Sequence, residues 1–398
     1  MFRAYKYRIY PTKAQEHQLA IHFGNVRFVK NLAIQQRQNL WSAIKDLPAD
    51  ERREHYADIR YHNDQLPALK EQFPFLKESY AQSLQLANKD ICQAFTAFFK
   101  SGHGYPKFRK KHERQSVGFP QRASIDFDAK RISIPKIGAI RYRGHQTFDD
   151  SFAVKTVTII KETNGHYYAS ILVDTHQAAP ALPALEPEKL VGCDVGLKDL
   201  VVTSDGLRIP PPKFLRQSEE RLGHLQRILA KKTKGSHRYR NIQHRLARLY
   251  HHVACQRHAW QHQIASQLVA NNHGTCWEDL AISNMMKNHC LAKSIADAGW
   301  YSLKWKVRYK SQFQGKHFLE CGRRDPTTKA CDCGHMQHLT LGDRSWVCDA
   351  CGVTHDRDLH AAKNIVFFAL KKLTIVGPST ITDADQSVSV HEERIRST

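Results

Sequence analysis

Residues 190–206 read LVGCDVGLKDLVVTSDG, and this stretch decides how the second half of the chain folds. The apolar run at 190–195 predicts a buried strand, and the run at 200–202, after a short turn, predicts a second strand. Asp194 interrupts the first run. A carboxylate near the end of a buried strand costs free energy unless it is paired, hydrogen-bonded or bound to a metal. Asp194 is therefore a candidate functional residue, and an ordinary turn acid is the alternative.

Two more acids lie beside predicted strands or helices. Glu278 lies in TCWEDLAI (275–282), next to an apolar, strand-like run, and Asp358 lies in CGVTHDRDLHAAKNI (351–365), where a helix is predicted to begin. Each has a plainer interpretation. Glu278 would be a solvated acid at a strand end, with Asp279 capping the next segment, and Asp358 would be a helix N-cap that accepts hydrogen bonds from backbone amides.

Net charge is the most informative overall property of the chain. Its 398 residues contain 60 Lys and Arg against 38 Asp and Glu, which gives a formal charge of +22. A folded body this basic repels itself unless a polyanion accompanies it, and nucleic acid is the polyanion that such a charge favours. The alternatives are a soluble basic protein without a polyanionic partner and a protein that binds acidic membranes.

Neither a membrane span nor a signal peptide is predicted. No apolar run approaches the ~18–20 residues of a spanning helix, and the opening residues MFRAYKYRIYP lack an apolar core. We therefore expect a cytoplasmic protein. In that reducing compartment the ten cysteines are predicted to be metal ligands or buried thiols. Five scattered ones are interpreted as small buried hydrophobic residues: Cys92, Cys193, Cys255, Cys276 and Cys290.

The remaining cysteines include two close pairs that predict a structural zinc site. The predicted ligands are Cys331, Cys333, Cys348 and Cys351, four thiolates that suit a tetrahedral, closed zinc shell. The first pair is Cys-x-Cys, which makes a shorter and more strained chelate than Cys-x-x-Cys. Cys321 or His335 is therefore an alternative ligand in place of Cys331, and four unmetallated thiols are the plainer interpretation.

The order of patterns along the chain predicts several units. Alternating Tyr5, Tyr7 and Ile9 predict a strand, after which the pattern is helical to about residue 100. Short β-type runs follow at about 115–175, with a hairpin predicted at Asn164-Gly165. The first strand is expected to join this later β segment, which would make a split β-domain. The proline-rich run HQAAPALPALEPEKL (176–190) is a predicted linker.

The three acidic motifs resemble, in order and spacing, those of a known family. GCDVGLKDLVVTSDG, CWEDLAISNM and CGVTHDRDLHAAKNI are similar to the three motifs of the RuvC-like nuclease core of TnpB, the OrfB-type proteins of bacterial insertion sequences and relatives of single-effector type V CRISPR nucleases. Similarity continues in YKYRIYPTKAQ, GNVRFVKNLAI, YPKFRKKHERQSVGFP and IADAGWYSLKWKVRYKSQFQGKHFLE, and so covers most of the chain.

The resemblance implies a multidomain α+β and α/β fold. A wedge-type split β-barrel is expected at 1–12 and 115–180, a helical recognition domain at 13–114, an RNase H-like RuvC nuclease domain at 181–372 containing a zinc ribbon at 322–355, and a disordered tail at 373–398. The tail also lacks any periodicity of its own.

The resemblance further implies an RNA-guided, Mg²⁺-dependent DNA endonuclease encoded by a transposable element. Asp194, Glu278 and Asp358 would hold two Mg²⁺ ions for two-metal phosphodiester hydrolysis, and one structural Zn²⁺ would bind the cysteines. Asp356 is assigned to supporting these ligands or pairing with Arg357. The family commonly has Asn where this chain has His360, and it normally has Cys-x-x-Cys where this chain has Cys331-Asp332-Cys333.

The implied partners are a guide RNA and target double-stranded DNA that carries a short flanking motif read by the protein. We expect a monomer in a ribonucleoprotein, associated with the bacterial nucleoid. The predicted nucleic-acid contacts are Arg27, Lys30, Lys107, Phe108, Arg109, Lys110, Lys198, Arg238 and Arg245. The alternatives are an RNA-guided repressor that no longer cuts and a transposase that acts without RNA.

Overall fold

The computed structural model describes residues 1–48, 51, 58–340 and 342–376. They form two compact units, Met1–Gln177 and one that begins at Ala178. In the described part of the chain, none of the helices has both the length and the apolar character needed to cross a bilayer. Leu373–Val376 are helical, so the tail predicted from residue 373 was wrong for these four residues, and its remainder lies outside the described residues.

The first unit contains a seven-stranded antiparallel sheet with the strand order β2-β6-β7-β1-β5-β4-β3. Its strands are β1 Phe2–Tyr10, β2 Gln115–Phe119, β3 Ser124–Asp126, β4 Arg131–Ile134, β5 Gly138–Arg143, β6 Ala153–Lys161 and β7 Tyr167–Asp174. The predicted pairing of the first strand with the later β segment is confirmed, because β1 lies between β7 and β5. The predicted hairpin joins β6 to β7 through the turn at Asn164-Gly165. Closure of this sheet into a barrel stays a prediction.

Helices cover the apolar face of this sheet. They are α1 Lys13–Ile44, α2 Ile59–Asp64, α3 Leu66–Gln72 and α4 Ala81–Ser101. The predicted capping box is present, since Thr12 and Gln15 exchange side-chain and backbone hydrogen bonds at the start of α1. Leu19 and Phe23 of α1 pack with Tyr7 and Ile9 of β1, so the period-two pattern of the strand meets the helical pattern in one core.

The second unit is built around a five-stranded sheet with the order β10-β9-β8-β11-β12. Its strands are β8 Leu190–Val195, β9 Val201–Thr203, β10 Arg208–Ile209, β11 Gly274–Trp277 and β12 His317–Glu320. Strands β8, β11 and β12 are parallel neighbours, while β9 and β10 are antiparallel. A two-stranded ribbon, β13 Ser345–Val347 with β14 Thr354–Asp356, forms a separate small sheet.

Helices cover both faces of the five-stranded sheet. They are α5 Phe214–Gln217, α6 Glu219–Ala230, α7 His237–Asn271, α8 Ile282–Met285, α9 His289–Ala298, α10 Trp300–Gln314 and α11 Arg357–Val376. Val191 and Cys193 of β8 pack with α7 and α10, while Leu190 packs with α11 on the other face. A strand that is buried on both faces needs an almost continuous apolar run, which explains the sequence before Asp194.

The prediction that all five scattered cysteines are buried was partly wrong. Cys193 and Cys276 are buried and Cys92 is half-buried, but Cys255 and Cys290 are exposed. Both exposed thiols lie on helices, α7 and α9, that bury only some of their residues, so an apolar or helical context in the sequence does not ensure burial.

Candidate active site

The ends of two parallel strands bring Asp194 and Glu278 to one edge of the second sheet. Strand β11 pairs with β8 so that Trp277 lies opposite Cys193. Asp194 is the next residue along β8, and Glu278 is the next residue after β11. Because the carboxyl ends of parallel strands meet at the same sheet edge, both acids lie at the position where open α/β sheets bind ligands.

The final helix, α11, brings the third acid to the same place. Asp358 lies in its first turn, one turn before Ala362. The helix approaches β8 so closely that a Cβ on Gly192 would lie 1.8 Å from the carbonyl oxygen of Ala362. Only a residue without a side chain permits this approach. Gly192 therefore sets the spacing between the strand that carries Asp194 and the helix that carries Asp358.

The electrostatics of Asp194 show that the three carboxylates act on one another. The pKa of Asp194 is raised well above its usual value, first by burial and then by the negative charges of Glu278 and Asp358. The Arg357 guanidinium opposes this shift. Carboxylates gathered in this way repel one another unless a cation lies among them. Oxygen ligands of this kind suit a hard divalent cation such as Mg²⁺.

Neighbouring side chains hold Glu278 and Asp358 in place. The Thr327 hydroxyl donates a hydrogen bond to the Glu278 carboxylate, and Lys304 Nζ donates to the Glu278 carbonyl oxygen at 2.8 Å. Arg344 lies 3.5 Å from the Asp358 carboxylate and Arg208 lies 4.0 Å from it. Sequence patterns did not single out Thr327, Arg208 or Arg344, because each reaches the acids through the folded chain and not through a local motif.

Asp356 does not pair with Arg357, so that part of its predicted role was wrong. Arg208 donates two hydrogen bonds to the Asp356 carboxylate, both at 2.9 Å, and the Leu359 amide donates a third. Burial acts to raise the pKa of Asp356, but these hydrogen bonds outweigh it and lower the pKa. Arg357 instead donates to the carbonyl oxygens of Thr340 and Asp343. Asp356 thus caps α11, the duty that was considered for Asp358.

The four cysteines of the predicted zinc site lie together. The sulfur atoms of Cys331, Cys333, Cys348 and Cys351 all lie within 4.8 Å of one another. The Cys331–Cys351 and Cys333–Cys348 sulfur pairs are 3.6 and 3.7 Å apart. Four thiolates about 2.3 Å from a tetrahedral zinc ion are separated by about 3.8 Å, so the donor set fits Zn²⁺.

The alternative zinc ligands are not in this cluster. Cys321 follows β12 and is buried near Glu278, whose charge adds to the effect of burial and raises the Cys321 pKa to about 12. His335 contacts Cys331 through its backbone, because its carbonyl oxygen accepts the Cys331 amide hydrogen bond at 2.9 Å. Burial acts to raise the pKa of Cys348, but hydrogen bonds from the backbone amides of Cys351 and Ala350 and from neighbouring thiols outweigh it and lower the pKa, while the pKa of Cys331 in the same cluster is raised. Zinc binding would hold all four sulfur atoms as thiolates.

Most of the predicted nucleic-acid contacts are exposed, but two are engaged within the first unit. Arg27 donates to Gln115 at 2.7 Å, and Lys30 pairs with Asp90 at 2.6 Å. The exposed residues are Lys107, Phe108, Arg109 and Lys110 in the first unit, and Lys198, Arg238 and Arg245 in the second. The Asn31 side chain fixes the segment 107–110 in the first unit, since it exchanges two hydrogen bonds with the Arg109 backbone at 2.8 and 3.0 Å.

Sequence reasoning missed a basic pocket in the first unit. It has a volume of about 480 Å³ and is lined by Tyr10, Lys130, Arg141, Tyr142, Arg143, Gly144 and His145. Strand register places Arg8 opposite Arg143 and Arg131 opposite Arg141. Like charges directly opposite each other destabilise a sheet. The alternating Arg-Tyr-Arg of β5 was the available signal, and it indicates an exposed face that suits a polyanion.

Three family models match the chain. An OrfB-type model described as a probable transposase matches residues 170–289, a Cas12f1-like TNB domain matches 300–365, and an OrfB-type helix-turn-helix domain matches 1–45. A "Putative RNA-guided DNA endonuclease" of Streptomyces pristinaespiralis is 32% identical over 92% of this chain and 88% of that protein. The chain belongs to the TnpB, or OrfB-type, family. The resemblance found in the sequence motifs is thereby confirmed.

Other relatives extend the likeness to the TnpB family. The "Putative RNA-guided DNA endonuclease InsQ" of Escherichia coli K12 is 27% identical over 92% of this chain and 91% of that protein. The fold is similar to that of the protein in a cryo-EM structure of a Cas12f1–sgRNA–target DNA complex, with a TM-score of 0.54 and 11% identity. That likeness covers 92% of this chain and 98% of the other. It supports a multidomain α+β fold.

Proposed function

We propose that this TnpB-family chain is an RNA-guided, Mg²⁺-dependent endonuclease that cleaves double-stranded DNA. One observation carries the proposal above all others. The parallel pairing of β8 with β11 and the close approach of α11 to β8 bring Asp194, Glu278 and Asp358 to one sheet edge, although long stretches of sequence separate them. Such a carboxylate set, placed at a sheet edge, suits two-metal hydrolysis of a phosphodiester.

The three acids would hold the Mg²⁺ ions, and supporting residues would keep the acids in place. Bound Mg²⁺ would supply an activated water and stabilise charge on the departing oxygen. Asp194 would contact both ions from the centre of the sheet edge. Thr327 orients the Glu278 carboxylate through its hydrogen bond. Arg208 fixes Asp356 at the start of α11 and so orients the turn that carries Asp358.

We include in this proposal the domain boundaries that the family resemblance implies. Residues 1–12 and 115–180 would form the wedge-type β-domain, 13–114 the helical recognition domain, and 181–372 the RuvC-like nuclease domain. The segment 322–355 would be its zinc ribbon, and the four clustered cysteines support that assignment. The parallel pairing of β8, β11 and β12, with helices on both faces, supports the nuclease domain.

The proposed partners are a guide RNA and a target DNA. Relatives named as RNA-guided DNA endonucleases support this, as does the neighbouring fold solved with an sgRNA and target DNA. The charge of +22 and the facing arginines of the first sheet suit phosphate backbones. We propose that one copy of the chain assembles with one guide RNA and that pairing with the guide selects the target sequence.

To test the proposal, the protein is purified from cells that carry its gene together with the flanking genomic DNA, and the RNA that copurifies is sequenced. The resulting complex should cut a plasmid matched to that RNA when Mg²⁺ is present, and it should leave a mismatched plasmid intact. Guide-dependent binding without cutting, in every divalent metal tried, would favour a repressor. Strand-transfer products from the protein without RNA would identify a transposase and refute the proposal.

If the four cysteines bind zinc, replacing one of them should remove that zinc ion. Replacing Cys348 with Ser should remove about one zinc ion per full-length chain and lower the melting temperature, because metal binding contributes directly to folding of such ribbons. Zinc content and thermal unfolding measure both effects. Cys290→Ser is the matched control, since that thiol is exposed and lies outside the cluster. An unchanged zinc content in Cys348→Ser would show that these cysteines do not bind the metal.

The basic segment 107–110 leads to a prediction about base stacking in nucleic-acid binding. Phe108 is 43% exposed between cationic residues, which suits a platform for a base. Replacing it with Ala should weaken guide RNA binding by roughly 5- to 150-fold, the equivalent of about 1–3 kcal/mol per stacked base. Filter binding at fixed salt measures the change. Phe99→Ala is the control, because that ring is 64% exposed at the end of α4, and equal losses in both variants would argue against a specific role.

A further inference from the structure

A second cluster of possible metal ligands lies beside the four cysteines. It contains Asp332, His355 and His360, with one ligand atom of each within 4.8 Å of the others. Both histidines are buried, at 7% and 4% exposure, while Asp332 is exposed. The two imidazole rings pack with their centroids 4.0 Å apart. The cluster therefore combines two buried nitrogen donors with one carboxylate at the surface.

Hydrogen bonds fix how each histidine presents its nitrogens. His360 Nε2 lies 2.8 Å from the Ala330 carbonyl oxygen, so it must carry the proton and donate. His355 Nε2 lies 3.2 Å from the Cys331 sulfur and donates to it when that sulfur is a thiolate. Each neutral ring then keeps a lone pair on Nδ1. Metal-binding histidines typically donate their other N–H to an oxygen or similar acceptor, which orients the ring.

A third ring covers the two imidazoles. The Trp346 ring packs against both histidines, at centroid distances of 4.5 and 5.6 Å. Its indole N–H is buried and has no acceptor among the residues that the structure describes. An unpaired buried donor costs free energy, so a bound water or another acceptor beside the Trp346 ring would stabilise this part of the chain.

We propose that Asp332, His355 and His360 bind a second divalent transition-metal ion, of which Zn²⁺ is the best match, next to the four-cysteine site. Two imidazoles and a carboxylate are a common zinc donor set, and the exposed side of Asp332 leaves a fourth position for water. This second metal site does not depend on the nuclease activity proposed above.

Metal counting on the full-length protein tests the proposal. After equilibrium dialysis against micromolar Zn²⁺, the wild type should hold one more ion per chain than either His360→Asn or Asp332→Ala. His338→Asn should hold as much as the wild type, because His338 is an exposed histidine of the same ribbon outside the cluster. The Asp332→Ala variant tests the site without disturbing buried packing, because the Asp332 side chain is exposed.

A second readout separates this site from the four cysteines. In protein loaded with Co²⁺, the sulfur-to-metal charge-transfer band reports the cysteine site alone, because nitrogen and oxygen ligands do not give it. The band should be unchanged in His360→Asn and Asp332→Ala while the total cobalt falls by one ion. The proposal would be overturned if the wild type and both variants held the same amount of metal. It would also be overturned if the variants lost only the cobalt that gives the sulfur-to-metal charge-transfer band.

Discussion

Replacing Asp194 with Asn is expected to slow DNA cleavage by at least about 10³-fold while guide and target binding stay within about twofold. The variant keeps the shape of the side chain but removes the charge that would contact both metal ions, and losses of several kcal/mol of transition-state stabilisation follow from weakened metal binding. Single-turnover cleavage and equilibrium binding of the same ribonucleoprotein measure the two quantities. Asp150→Asn, an exposed acid of the first unit, should cut normally.

The same variant should be more stable than the wild type when metal is absent. The pKa of Asp194 is raised in the folded protein, so the folded state binds this proton more tightly than the unfolded chain. Wild-type stability in buffer without Mg²⁺ should therefore fall as pH rises from about 4 towards the raised pKa. The Asn side chain does not ionise, so the Asp194→Asn variant does not lose free energy of unfolding in this way. Each ~1 kcal/mol of unfolding free energy retained raises the melting temperature by about 2–4 °C. Normal cleavage by Asp194→Asn would show that this acid is not catalytic.

The second large effect is expected at Gly192. Replacing it with Ala puts a Cβ 1.8 Å from the Ala362 carbonyl oxygen, so α11 must move away from β8. The movement displaces Asp358 from Asp194 and opens the core formed by Leu190 and Ile365. We expect a loss of several kcal/mol in stability, within the range of overpacked cores and broken packing, and loss of cleavage. Thermal unfolding and cleavage assays measure both.

A matched glycine distinguishes crowding from a general effect of adding a methyl group. Gly223 lies in α6, and a Cβ added to it would have no neighbouring atom within 4 Å. Gly223→Ala should be neutral or should stabilise the protein by about 0.5–1 kcal/mol, because alanine favours a helix. If Gly192→Ala melts and cuts like the wild type, the close approach of α11 to β8 does not set the geometry of the acids.

The strand ends were predictable from the sequence because burial imposes a local pattern. A strand covered on both faces must be apolar, so the acids that end such runs, Asp194 and Glu278, are conspicuous. The first strand was likewise recognisable from its alternation at Tyr5 and Tyr7. In each case the signal lies within a few consecutive residues, and the fold preserves it.

The supporting contacts were not predictable because no local pattern encodes them. Arg208 and Asp356 are 148 positions apart and meet only because β10 and the start of α11 come together. Proximity in sequence favoured Arg357 instead, yet the first turn of α11 points that side chain towards Thr340 and Asp343. The ring stack of His355 and His360 was hidden for the same reason, since neither residue alone forms a recognisable motif.

The central position of β1 has a consequence for how the chain folds during synthesis. The first ten residues pair with strands that end at Arg143 and Asp174, so the sheet cannot form until well over a hundred further residues have been made. Contacts of such long sequence separation form slowly. Until then the apolar side of β1 has only the helices made before those strands to cover it, and the nascent chain is exposed to aggregation. The first unit therefore depends on its last strand, and a truncation before Tyr167 should leave β1 without its longest partner.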